Sequence, residues 1–112
     1  MIDWERVDCL RAEIGEADFE EVVDLFLEEV EEVLGRLSPT VRPRQLEADL
    51  HFLKGSALNL GFADLAALCQ AEERRAAAGA PIDRAPVATL YAASRQAFLA
   101  RLRPSGRRGQ AA

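Results

Sequence analysis

The sequence predicts an all-α protein: an antiparallel up-and-down four-helix bundle with a short accessory N-terminal helix. Apolar residues recur at three- and four-residue spacing through nearly every segment, and no stretch alternates with the period of two that a strand requires. Turn signals divide the chain into one short and four long helical stretches with short connections, which favours antiparallel neighbours. Aliphatic residues and alanine dominate, with 49% hydrophobic but only 6% aromatic residues, and 112 residues fit one domain with a single core.

Asp3 can cap a first helix running to about Ile14, with Trp4, Val7, Cys9 and Leu10 as candidate buried residues, and Gly15 ends it. Asp18 can cap a second helix to about Leu37. There Phe19, Val22, Val23, Phe26, Val30, Val33, Leu34 and Leu37 form the apolar stripe, and Glu20, Glu21, Asp24, Glu28, Glu31 and Glu32 a solvated acidic face. Ser38–Pro43 is a loop, because its two prolines interrupt helical hydrogen bonding. A third helix runs from about Arg44 to Leu60 and stops at Gly61. The fourth spans about Phe62 to Ala78, with Leu65, Leu68, Cys69 and Glu72, and Gly79 closes it. The last runs from about Arg84 to Leu102, with Pro86 tolerated in its first turn. The domain is expected over residues 1–103, and 104–112, which lack apolar periodicity, read as a flexible tail.

A net charge of −5 argues against nucleic acid as a partner, since phosphate neutralisation needs a basic surface. No N-terminal stretch has signal-peptide organisation, and charges interrupt every apolar run, so neither export nor membrane insertion is expected and the chain reads as cytoplasmic. Cys9 and Cys69 form no CxxC pair, and both fall in apolar patterns that read as buried free thiols.

The chemistry concentrates around His51, the single histidine, in the run His51-Phe52-Leu53-Lys54-Gly55-Ser56-Ala57-Leu58-Asn59-Leu60-Gly61. At about 100° per residue, Leu46, Leu53, Ala57 and Leu60 gather about 180–240° from His51, while Glu47, Lys54, Gly55 and Leu58 lie beside it. His51 is therefore expected on the solvent side. Gly55 sits mid-helix at a cost of about 1 kcal/mol relative to alanine, a hint that something must come close there. Leu58, extended by Phe62 and Ala63, reads as a docking patch.

An accessible imidazole can attack a phosphoryl group, Lys54 can supply charge to its oxygens, and Gly55 removes a side chain from the line of approach. No general base with matching spacing accompanies His51, so independent catalysis is not expected. Metal binding lacks further histidines or paired thiolates, and there is no phosphate-cradling glycine loop or calcium-loop spacing. A Cys–His pair stays open on these residues, as does a histidine on the surface by chance.

His51-Phe52-Leu53-Lys54-Gly55-Ser56-Ala57 followed by Gly61 resembles the signature of the histidine phosphotransfer (HPt) family, His-x-Leu-Lys-Gly-Ser-[Ser/Ala] with a glycine closing the helix. Leu65, Leu68, Cys69, Gln70 and Glu72 resemble that family's next helix, with Ala71 where leucine is common. A histidine-kinase dimerisation helix fits less well, because Phe52 stands where those proteins carry an acidic residue and no proline follows before Gly61. The resemblance implies a phosphorelay intermediate: His51 accepts a phosphoryl group from a receiver-domain aspartate or partner kinase and passes it to another receiver. Lys54 would stabilise the phosphoryl group, Gly55 give clearance, and Glu47, Leu58 and Phe62 contact the partner. Magnesium would belong to the receiver, no cofactor to this chain, and the chain would act as a monomer with response-regulator receivers or a hybrid histidine kinase. The competing expectation is a helical module that docks a receiver or another signalling partner without being phosphorylated.

Overall fold

A side-chain cap at Asp3 and glycine turns at Gly15 and Gly61 mark helix limits in this computed structural model; residues 1–38 and 42–102 are described. Five helices follow in order: α1 (Trp4–Ile14), α2 (Glu16–Arg36), α3 (Pro43–Leu60), α4 (Ala63–Ala77) and α5 (Arg84–Leu102). Among the described residues there is no strand, only a single antiparallel bridge between Ile2 and Phe62. The expected tail at 104–112 lies outside the described residues.

Asp3 caps α1 as expected, its carboxylate accepting the Arg6 backbone N–H at 3.2 Å. The start of α2 differs from expectation. Gly15 adopts φ +100°, and its carbonyl accepts the Asp18 N–H, so the helix begins at Glu16. Asp18 thus lies in the first turn with Glu16, where negative charge suits the helix dipole. Pro43 opens α3 at a position where its missing N–H removes no helical bond.

Gly61 closes α3 in the left-handed region, at φ 79° and ψ 17°. The Gly61 N–H reaches the Leu58 carbonyl at 3.2 Å and the Phe62 N–H reaches Ala57 at 2.7 Å, the paired bonds of a Schellman turn. The N-terminus locks this corner: the Asp3 N–H donates to the Gly61 carbonyl at 2.7 Å, and the Ala63 N–H to the Met1 carbonyl at 3.1 Å. From the corner α4 returns along α3, the most extensive helix contact in the molecule.

The other contacts follow from paired side chains. Arg36 near the end of α2 meets Asp49 near the start of α3 at 3.3 Å. Arg84 at the start of α5 donates to the Leu34 carbonyl at 2.7 Å, and the Tyr91 hydroxyl donates to Glu31 at 2.7 Å, tying α5 to α2. Burial pushes the Tyr91 phenol up, and its bond to Glu31 adds to the shift. An aromatic cluster fills one end of the core: Trp4 stacks on Phe98 at 5.9 Å, and Phe62 meets Phe98 edge-on at 5.3 Å. Fully burying one such ring contributes about 2–3 kcal/mol.

The expected stripe of α2 is largely buried, although Val22 and Phe26 are only partly covered and Leu27 joins the core. Cys69 is buried as expected, but Cys9 is exposed. The reason is angular: α1 buries one stripe through Val7 and Leu10, and Cys9, two residues from Val7, points about 200° away from it.

Gly61 cannot be replaced cheaply, because a Cβ there would lie 2.7 Å from the Asp3 carbonyl oxygen on a backbone that L-residues resist. Gly61→Ala should destabilise the fold by about 2–4 kcal/mol. Urea denaturation checks this against Gly35→Ala, whose added methyl meets nothing within 4 Å and should leave the midpoint unchanged or slightly raised.

Candidate functional site

The two faces of α3 divide as helical arithmetic requires. Leu46, Leu50, Leu53, Ala57 and Leu60 are buried, while the His51 side chain is 68% exposed and Leu58 is 55% exposed. Lys54 and Glu47 lie half-buried beside His51, toward α4. At Gly55 a Cβ would meet nothing within 4 Å, so packing inside this chain does not require glycine there.

Glu73 of α4 completes the site. Its Oε2 lies 3.0 Å from His51 Nδ1, and its Oε1 lies 3.4 Å from Lys54 Nζ. The first is a hydrogen bond; the second is a charge contact, since Oε1 has no hydrogen-bond partner and is itself shielded from water. One carboxylate, 20% exposed, thus touches both groups that the sequence singled out. A carboxylate accepts and cannot donate, so the contact places the proton of a neutral imidazole on Nδ1 and leaves the lone pair on Nε2.

No general base on α3 is spaced to match His51; the next helix supplies a carboxylate partner instead. A signal for it existed. His51 lies ten residues before Gly61 and Glu73 twelve after it, and in a helix hairpin turning at Gly61 such positions face each other. On α4, Gln70 and Arg74 flank Glu73 and, with Glu47 and Lys54, line a cavity of about 200 Å³.

Phe62 does not extend the outer patch. It is fully buried in the aromatic cluster, because the Schellman turn and the Ile2 bridge direct it inward; Ala63 beside it is exposed. Cys69 lies beneath the site without accessible chemistry. Burial pushes its thiol up to about 12, and the charges of Glu72 and Glu73 add to the shift. Among the described residues, no three His, Cys, Asp or Glu side chains gather closely enough to hold a metal ion, and no helix is long and apolar enough to cross a membrane.

A family model described as the Hpt domain matches residues 21–103. The chain belongs to the Hpt domain family. The match takes in α3, α4, α5 and most of α2, and with them His51, Lys54, Gly55 and Glu73; α1 lies outside it. Hpt domains carry phosphoryl groups in phosphorelay signalling and interact with receiver domains and kinases. No curated protein and no solved structure matches the chain.

Two measurements test this Hpt site independently of its chemistry. Gly55→Ala should stabilise the fold by about 0.5–1 kcal/mol, read as a higher urea midpoint, because alanine adds helix propensity without a clash. In native protein at pH 8, iodoacetamide should alkylate Cys9 and spare Cys69, whose thiol loses its proton only as pH rises toward about 12. Mass spectrometry of the peptides distinguishes the two.

Proposed function

We propose that this Hpt domain is a phosphorelay intermediate in which His51 Nε2 takes a phosphoryl group from a receiver-domain aspartate, or from a partner kinase, and passes it to another receiver. The observation that carries the reading is the Glu73 carboxylate against His51 Nδ1 on an exposed face. With the proton on Nδ1, the Nε2 lone pair attacks phosphorus, the N–P bond forms, the P–O bond of the aspartyl phosphate breaks, and the aspartate leaves as a carboxylate. The ring gains positive charge as it does so, and Glu73 stabilises that charge through the Nδ1–H hydrogen bond. The second transfer is the same step in reverse, onto a different aspartate.

Lys54 supplies positive charge to the phosphoryl oxygens as a compact ammonium that can leave its 3.4 Å contact with Glu73. Gly55 keeps the line of approach open, and Leu58 and Glu47 contact the receiver. Magnesium sits on the receiver, this chain binds no cofactor, and it has no kinase activity of its own. It works as a monomer in the cytoplasm, without nucleic-acid or membrane partners. The same reading takes α2–α5 as an antiparallel up-and-down bundle with α1 as the accessory helix. It is supported by the meetings of Arg36 with Asp49, His51 with Glu73 and Arg84 with Leu34.

Incubation with a ³²P-labelled phosphoreceiver domain tests the relay. The expected product is an acid-labile, alkali-stable label on this chain that disappears in His51→Gln. Lys54→Ala should slow transfer roughly tenfold or more with the fold intact. Glu73→Ala should slow it as well, while Glu73→Gln, whose amide oxygen still accepts from Nδ1, retains most of the rate. Gly55→Leu should raise the receiver concentration needed for half-maximal transfer. Receivers that bind but never label His51 would leave the unphosphorylated docking module as the function.

A further inference from the structure

We infer that the groove between α2 and α3 beside His51 receives a cationic side chain, arginine by preference, from the docked receiver domain; this rests on the relay reading above. The groove is a cavity of about 360 Å³. Val33 and Asp49 form its floor, Phe52 one wall, and Glu29, Glu32 and Arg36 its rim. Three carboxylates face one guanidinium, so the lining carries net negative charge.

Asp49 is the unusual member. It is 3% exposed, and its Oδ1 accepts from Gln45 Nε2 at 2.8 Å and from Arg36 Nη2 at 3.3 Å. Its Oδ2 is shielded from water and has no hydrogen-bond partner. Buried polar atoms in folded proteins are nearly always paired, so an acceptor oxygen left without a donor marks a place for one. A guanidinium brings five donors in a flat fork, enough to share Asp49 with Arg36 and to reach the rim carboxylates. The Phe52 ring, 38% exposed although apolar, offers the face on which a guanidinium stacks, and Val33 accommodates its aliphatic stem. The carboxylates do not converge on a point as an ion site requires.

The groove also lies where a receiver must sit. On α3, Ala48 and Phe52 fall about 60° and 100° to one side of His51, whereas Lys54 falls about 60° to the other. All are within one helical turn of it along the axis. An interface of standard size, about 800 Å² on each partner, covers a disc of roughly 16 Å radius and would span both sides of His51. Lys54 then meets the transferred group on the α4 side, where Glu73 holds the imidazole, while the α2 side holds the partner by charge.

Two measurements on the full chain decide this. In the first, N-acetyl-arginine methylamide is titrated while NMR follows the Phe52 ring, the Val33 methyls and the Glu29 and Glu32 side chains. Shifts confined to these groups, weakened in Glu29→Gln/Glu32→Gln and absent with the neutral citrulline analogue, are expected; no shift, or one indifferent to the variant, overturns the cation site. In the second, transfer from a phosphoreceiver that labels His51 is measured against receiver concentration. The double variant should raise the half-saturating concentration roughly fivefold, more than it lowers the maximal rate, and flatten the salt dependence. An unchanged half-saturating concentration with labelling intact overturns the receiver as occupant and leaves the relay standing. If no receiver labels the chain, the relay reading falls and the receiver's role here falls with it, even where the arginine probe binds.

Discussion

The left-handed corner at Gly61 holds the N-terminal segment, the end of α3 and the start of α4 in one hydrogen-bonded knot. Its carbonyl accepts from the Asp3 N–H, its own N–H donates to the Leu58 carbonyl and closes the last turn of α3, and the space a Cβ would occupy is taken by the Asp3 carbonyl. Because the corner admits one backbone geometry, it sets the register in which α4 returns along α3. That register brings Glu73 to His51 and directs Phe62 into the core. A shift of one residue along α4 would turn Glu73 by about 100° and remove it from the imidazole.

The face around His51 is built from few parts. One carboxylate orients the imidazole and holds a lysine nearby, and the helix offers bare backbone at Gly55. Positive charge beside His51 comes from Lys54 alone on α3, whereas the opposite flank, toward α2, is acidic. His51 thus sits on a boundary between two electrostatic surroundings, one carrying the Lys54 ammonium and the other a net negative groove.

Much of this was legible in the sequence because it is local. Asp3, Gly15, Gly61 and Pro43 act within one turn of their own backbone, so helix limits follow from them to within a residue or two. The outward placement of His51 and Leu58 followed from angular arithmetic on a single helix, and their exposure agrees with it. The apolar pattern alone misplaced Cys9, because a short helix with one buried stripe leaves apolar residues on its other side uncovered, as the 100° step itself requires. Capping propensity alone also put the start of α2 at Asp18; a glycine with φ +100° let the helix begin earlier.

The sequence by itself determined the helical class, the caps and the face on which His51 lies, and it carried the motif by which the family is recognised. Only the tertiary structure decided that Glu73 is the partner of His51 and Lys54, that Phe62 belongs to the core, and that Asp49 is a buried carboxylate at the floor of a groove. The reason is the range of the forces involved. Hydrogen bonds within a helix and the 100° step relate residues at most a few positions apart. What faces His51 from another helix depends on a register fixed far along the chain, where Gly61 meets Asp3.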